Sequence, residues 1–224
     1  MPVGDMPIPD GDGEETDGLF DSCVLWLDSR WFTESYWWDV SPYRNNGIVH
    51  GAKWKENSFY FDGINDYVDC GNHESLNITD DISIEVVLKF NNNNGRVIWQ
   101  ALTSGGHVSY DLYLYNKKFC IRRHQSDNNF PVAESEIKNT NIFYHVVGVI
   151  GDNYIKIYVD GKEEETNNYD GTCYSGTHQN VQIGRYLFGS SHGDYLRGHI
   201  KLVRIYHKAL NSEAVKNLAT MSGF

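Results

Sequence analysis

Short segments in which every second residue is apolar recur from Cys23 to His207, separated by clusters of Gly, Asn and Asp. Alternation of period two puts successive side chains on opposite faces of a strand, and the residues between the segments tolerate the backbone of tight turns. The candidate strands are CVLWLD (23–28), GIVHGAKWK (47–55), SFYFDG (58–63), DYVDCG (66–71), SIEVVLKF (83–90), GRVIWQAL (95–102), SYDLYLYN (109–116), KFCIRRH (118–124), FYHVVGVIG (143–151), YIKIYVDG (154–161), NVQIGRY (180–186) and HIKLVRIYH (199–207). Asp160-Gly161 and Asn116-Lys117 are expected to close two-residue hairpins. In SIEVVLKF, Ile84, Val86, Leu88 and Phe90 point one way into a core, and Glu85, Val87 and Lys89 point to a face that is at least partly wet. The only expected helix is SEAVKNLAT (212–220), capped by Asn211 or Ser212. The fold class that follows is all-β, an antiparallel sandwich or jelly roll with a short C-terminal helix.

Composition narrows the partners. The chain carries 19 Lys and Arg against 30 Asp and Glu, a formal charge of −11, which disfavours a nucleic-acid groove and an anionic membrane surface. No apolar run is long enough to span a bilayer, and no basic-then-apolar export signal is visible at the N-terminus. The 6 Trp, 15 Tyr and 10 Phe supply the apolar area of a folded core and also suit binding surfaces. Cys23, Cys70, Cys120 and Cys173 show no zinc-finger spacing; four reduced, buried thiols and a pair of disulfides both remain open. Residues 1–21 hold three of the five prolines in an acidic, Gly-rich stretch with little to bury. They read as an arm preceding a domain of residues 22–224, and the arm is expected to dock on its own domain or on a neighbouring copy.

The stretches SFYFDGINDYVDCGNHESLNITDDISIEVVLKF (58–90), FYHVVGVIGDNYIKIYVDGKEEE (143–165) and YLRGHIKLVRIYHKALNSEAVKNL (195–218), with DVSPYRNNGIVHGAKW (39–54) upstream, resemble the concanavalin A-like, laminin G-type jelly roll. The resemblance implies two stacked antiparallel sheets, one of them concave, with carbohydrate or protein bound on the concave face or at its rim. It implies no single activity, because relatives include glycoside hydrolases, polysaccharide lyases, adhesion modules and virus-surface proteins. The hydrolase relatives carry Glu-x-Asp-x-x-Glu on one strand, and no strand here does: SIEVVLKF offers only Glu85, and Glu163, Glu164 and Glu165 fall where a hairpin returns. The lyases' Arg/Gln/His/Tyr strand motifs are not legible in IRRHQ or GRYLFG, so a non-catalytic chain is expected.

Asp39, Asp62, Asp66, Asp69 and Asp80 lie in or beside turns, where calcium sites of this fold often occur, yet Asp in turns ordinarily accepts local backbone N–H groups. Relatives commonly have Asp where GHIKLVRIY has Lys201, so the structural calcium they hold there is expected to be absent, with the Lys201 ammonium meeting the vacated carbonyls. No cofactor is expected, and a rim calcium site using Asp62 or Asp66 stays open. The candidate ligand-binding residues are Trp31, Tyr36, Trp37 and Trp38 in DSRWFTESYWWDVSPY, Tyr113 and Tyr115 in SYDLYLYN, and His192 in GSSHGD. Adjacent Trp37 and Trp38 cannot both face the core, and Tyr113 and Tyr115 are placed on the concave side near Glu85 and one parity of CIRRH. His145 reads as a structural residue. The chain is thus expected to be a recognition or assembly module for glycan or protein, forming a homo-oligomer or a larger assembly at a virion or cell surface. The alternative is a carbohydrate-active hydrolase or lyase with an unfamiliar constellation.

Overall fold

A computed structural model describes residues 18–125, 130–169 and 173–224, so most of the acidic arm lies outside the described residues. The strands in chain order are β1 (Cys23–Phe32), β2 (Tyr36–Asp39), β3 (Gly47–His50), β4 (Lys53–Lys55), β5 (Ser58–Asp62), β6 (Tyr67–Asp69), β7 (Ile82–Phe90), β8 (Gly95–Ala101) and β9 (Val108–Tyr115). They continue as β10 (Lys118–Arg122), β11 (Val132–Glu134), β12 (Phe143–Ile150), β13 (Tyr154–Val159), β14 (Lys162–Asn168), β15 (Gln182–Ile183), β16 (Tyr186–Phe188), β17 (Ser191–Gly193) and β18 (Arg197–Tyr206). One helix, α1 (Ser212–Met221), follows, and the Asn211 side chain accepts the Ala214 N–H as its cap (2.8 Å).

All strand pairs are antiparallel, along the path β11-β10-β9-β8-β15-β6-β3-β2-β1-β18-β7-β12-β13-β14. The path turns over at β2, so a front layer (β11 to β3) stacks on a back layer (β1 to β14). Gly148 of β12 marks how closely they approach: a Cβ there would meet the Ile121 side chain of β10 at 2.8 Å. Ile84, Val86, Leu88 and Phe90 from the back layer and Leu112, Leu114, Phe119 and Ile121 from the front fill the space between the layers, as the alternation predicts. Both expected hairpins form. Asn116-Lys117 (φ 49° and 64°) joins β9 to β10, and Asp160-Gly161 (φ 51° and 75°) joins β13 to β14.

The other face of β7 departs from the expectation. Glu85 and Val87 are buried, not wet, because α1 lays Val215 and Leu218 over Val87, Val147, Val149, Tyr158, Leu202 and Tyr206 as a second core. Leu19 and Phe20 pack against the same core from the N-terminal side, and the Phe20 ring stacks on Trp26 at 4.8 Å. Within this core the Glu85 carboxylate accepts from Arg204 Nη1 (3.0 and 3.1 Å) and Tyr206 Oη (2.7 Å) and contacts His145 Nε2 (3.1 Å). The four cysteines are unbridged; Cys23, Cys70 and Cys120 are buried and Cys173 is half-buried.

Candidate functional site

The front layer turns one row of side chains outward, and cross-strand register fixes its members. Pairing carries the row from Tyr36 and Ile48 through Asp69 and Gln182 to Trp99, Asp111 and Arg122. The next row along the strands brings Arg96, Tyr113, Cys120 and Glu134 together. Side chains directly opposite on one face are in contact range, so a chain of local pairings becomes a continuous surface.

Asp111 is the centre of that surface. It is fully buried, and its Oδ2 accepts from Arg96 Nη1 (3.0 Å) and from Arg122 Nε (2.8 Å), while Oδ1 has no partner among the described residues. Burial pushes this carboxyl above its ordinary range, and the two guanidinium charges pull it back. Both guanidiniums also lie over the Tyr113 ring, at 4.7 Å for Arg96 and 4.9 Å for Arg122, and over Trp99 at 5.4 and 6.0 Å. Stacking and ion pairing together hold the two forks in place.

The walls come from neighbouring elements. The β16–β17 hairpin covers Trp99: the indole N–H donates to the Leu187 carbonyl (2.7 Å), and Tyr186 packs at 5.9 Å. Beyond the hairpin, Asp194 reaches Arg96 Nη2 (3.3 Å). On the other side Glu134 pairs with Lys118 (2.9 Å). The result is an open cleft of about 440 Å³ lined by Arg96, Tyr113, Tyr115, Arg122, Glu134 and Asp194. Aromatic rings, guanidinium donors and carboxylate acceptors converge there, as in saccharide and other polar-ligand sites.

The structure distributes the residues expected from sequence. Tyr113 and Tyr115 line the cleft, and Tyr115 is 53% exposed at its edge. His192 is exposed on β17, bonded to Tyr195 Oη (2.9 Å), one hairpin away. Tyr36 and Trp38 stack at 5.1 Å at the far end of the same face, beside exposed Ile48. Trp37 is fully buried in the interlayer core and offers no ring to a ligand. Trp31 lies half-buried against the second core, on the opposite layer. Glu85 is not near Tyr113: it belongs to the back layer, beneath α1. Sequence reasoning missed Arg96, Trp99 and Asp111 and named Arg122 only as one parity of CIRRH. Asp111 shares the parity of Tyr113 and Tyr115, and the Asn116-Lys117 turn sets Arg122 opposite it, so that pair was recoverable.

The turn aspartates serve their own loops. Asp39 accepts from the N–H groups of Trp26 (2.7 Å), Ser41 (2.9 Å) and Asn45 (2.6 Å), Asp66 from Asp62 N–H (2.9 Å), and Asp62 from Ile64 N–H (2.8 Å). Lys201 does not meet backbone carbonyls as expected; its ammonium sits 4.0 Å from the centre of the Phe143 ring, where a β-bulge between Ile200 and Leu202 turns it. A second cleft of about 620 Å³ lies on the back layer between Phe32, Trp54, Lys201 and Met221. Its cations are already engaged, Arg30 by Asp28, Arg204 by Glu85 and Lys201 by the Phe143 ring.

A comparison of the sequence with protein families matches residues 61–216 to a laminin G-type profile of the concanavalin A-like lectin/glucanases superfamily. A comparison with curated proteins returned no match. Among solved structures, a sialidase of Trypanosoma rangeli is similar at a TM-score of 0.69 and 17% identity, over 90% of this chain and 33% of that one. The receptor-binding domain of botulinum neurotoxin D is similar at 0.69 and 14% identity, over 91% of this chain and 54% of that one. The binding domain of Paraclostridial Mosquitocidal Protein 1 is also similar at 0.69 and 14%, over 91% of this chain and 53% of that one. The chain thus spans a third of the sialidase and about half of each toxin-domain chain, and at these identities the likeness concerns the fold.

Proposed function

The chain belongs to the concanavalin A-like lectin/glucanases superfamily, and from that premise we propose that it is a non-catalytic recognition module that binds saccharide in the front-layer cleft. The observation that carries the reading is the convergence of Tyr113, Tyr115 and two fixed guanidiniums in one open cleft. Tyrosine rings stack on the C–H faces of sugars, and the surrounding donors and acceptors match hydroxyl groups. Two of the solved structures of like fold are binding domains by name, which agrees with this use of the scaffold.

The carboxylates of the cleft support the non-catalytic half. Hydrolysis of a glycosidic bond needs a carboxylic acid and a carboxylate facing each other across it. Here Asp111 is buried between two arginines, Glu134 pairs with Lys118, and Asp194 pairs with Arg96. At the other end of the face, Tyr36, Trp38 and Ile48 form an apolar patch suited to a protein neighbour. On that patch rests the assembly part of the proposal, attachment to the surface of a larger particle such as a virion.

Titration calorimetry against a panel of oligosaccharides tests the reading, with product analysis on the same mixtures. Binding that weakens about tenfold in Tyr115→Ala, with the oligosaccharides recovered intact, is the expected result. Absence of binding across the panel would sink the saccharide reading, and chain cleavage would sink the non-catalytic one.

A further inference from the structure

Resting on the reading of the front cleft as a saccharide site, we propose that its ligand is an acidic saccharide, whose carboxylate or sulfate oxygens sit on the Arg122 fork. A carboxylate fully buried at a sheet surface loses its hydration, and the structure does not use Asp111 to join the two layers or to bind a helix. What Asp111 does is hold two arginines. It takes one nitrogen from each, Nη1 of Arg96 and Nε of Arg122, and leaves the terminal nitrogens of Arg122 without a hydrogen-bond partner among the described residues. The Arg122 guanidinium is pinned on one edge by Asp111 and on one face by Tyr113, so its remaining edge is presented to the cleft at little further entropy cost.

A planar guanidinium with a free edge matches the paired oxygens of a carboxylate or sulfate, and charge assistance makes such bonds shorter and stronger than bonds to a hydroxyl. Arg96 is different. Its second terminal nitrogen is taken by Asp194, whose side chain is 55% exposed at the rim. Asp194 therefore occupies the place an external oxyanion would take on Arg96, and the carboxylate of the protein competes with that of the ligand. Tyr115, exposed beside the fork, gives a sugar ring its stacking surface, which an acidic peptide backbone would not need.

The test uses the full chain and paired probes. A galacturonate hexamer is compared with its carboxyl-reduced galactose counterpart, a sulfated heparin hexasaccharide with its desulfated counterpart, and hexaglutamate serves as the peptide probe. The expected result is a preference of about tenfold or more for at least one acidic saccharide over its neutral counterpart, and the arm that shows it identifies carboxylate or sulfate. That preference falls as salt rises and disappears in Arg122→Gln. Because Arg122→Gln also loosens Asp111 and is able to unfold the sheet, Asp194→Asn provides the second reading. Removing the rim carboxylate is expected to raise the preference for acidic saccharide over its neutral counterpart several-fold. Equal affinity for an acidic probe and its neutral counterpart overturns the inference and leaves the saccharide reading standing. Hexaglutamate binding as tightly as the saccharides overturns it too, in favour of an acidic peptide. Failure of every saccharide overturns the proposed function as well.

Discussion

The two layers each bury a carboxylate beneath their outer face and hold it with arginine, and the two sites have opposite fates. In the back layer Glu85 meets Arg204, Tyr206 and His145, and α1 with the Leu19–Phe20 segment seals the cluster from water. In the front layer Asp111 meets Arg96 and Arg122, and nothing among the described residues covers the arginines completely: their side chains are 15% and 22% exposed. The same pair of residue types becomes a rivet where a helix covers it and stays partly open to solvent where none among the described residues does. Donor count on the carboxylate follows the same division. Both Glu85 oxygens have partners, whereas Asp111 Oδ1 has none.

Removing each carboxylate in turn separates the two sites most strongly. Glu85→Ala leaves Arg204 charged, buried and unpaired, which costs about 3–5 kcal/mol of stability in chemical denaturation. Asp111→Ala leaves two arginines that still reach water, so its cost is expected to be about 1–2 kcal/mol. Equal losses would show that the front site is as sealed as the back.

Acid titration probes the same contrast with opposite signs. The Glu85 carboxyl is held down at about 2, below its ordinary 4.5, because the Arg204, His145 and Tyr206 interactions outweigh the burial that opposes them. Its contribution, about 3 kcal/mol, is therefore complete above pH 4.5 and is lost as pH falls from there toward 2. Asp111 lies above its ordinary 3.8 because burial dominates, so its charged form opposes folding near neutrality and that penalty is relieved on acidification. The stability of the native sequence relative to Glu85→Gln should fall between pH 4.5 and 2, while its stability relative to Asp111→Asn should rise as pH drops through the raised value. Parallel curves would refute the distinction.

The fold was legible because alternation and turns are local. Ile84, Val86, Leu88 and Phe90 face the core as their spacing demands, and Asn211 caps the helix it precedes. Long-range cover was not legible: nothing in SIEVVLKF announces that α1, starting at Ser212, will bury Glu85 and Val87. The cleft was half legible. Tyr113 and Tyr115 follow from β9 alone, but Arg96 and Trp99 sit on β8, whose register shifts between Arg96 and Ile98 and again between Gln100 and Ala101. Those irregularities break period two, so Val97 and Ile98 both enter the core and Trp99 emerges where simple alternation would misplace it.

The smallest expected effect tests the turn that sets the cleft's register. Asn116-Lys117 and Asp160-Gly161 adopt the same pair of positive φ angles, one in each layer, yet only the back layer has glycine at the second position. Lys117 at φ 64° carries a Cβ in the left-handed region, where a side chain crowds the following carbonyl. Lys117→Gly removes that crowding and keeps the backbone bonds made there, Lys117 N–H to Asn93 and Lys138 N–H to Lys117. Against this gain stands the greater freedom of glycine in the unfolded chain, so the net stabilisation should be about 0.5–1 kcal/mol. Because the turn geometry is unchanged, Arg122 stays opposite Asp111 and saccharide affinity should move less than about twofold. A destabilised Lys117→Gly would mean that the lysine side chain supports the hairpin by contacts of its own, and a loss of affinity would mean that the turn's stiffness holds the guanidinium forks in place.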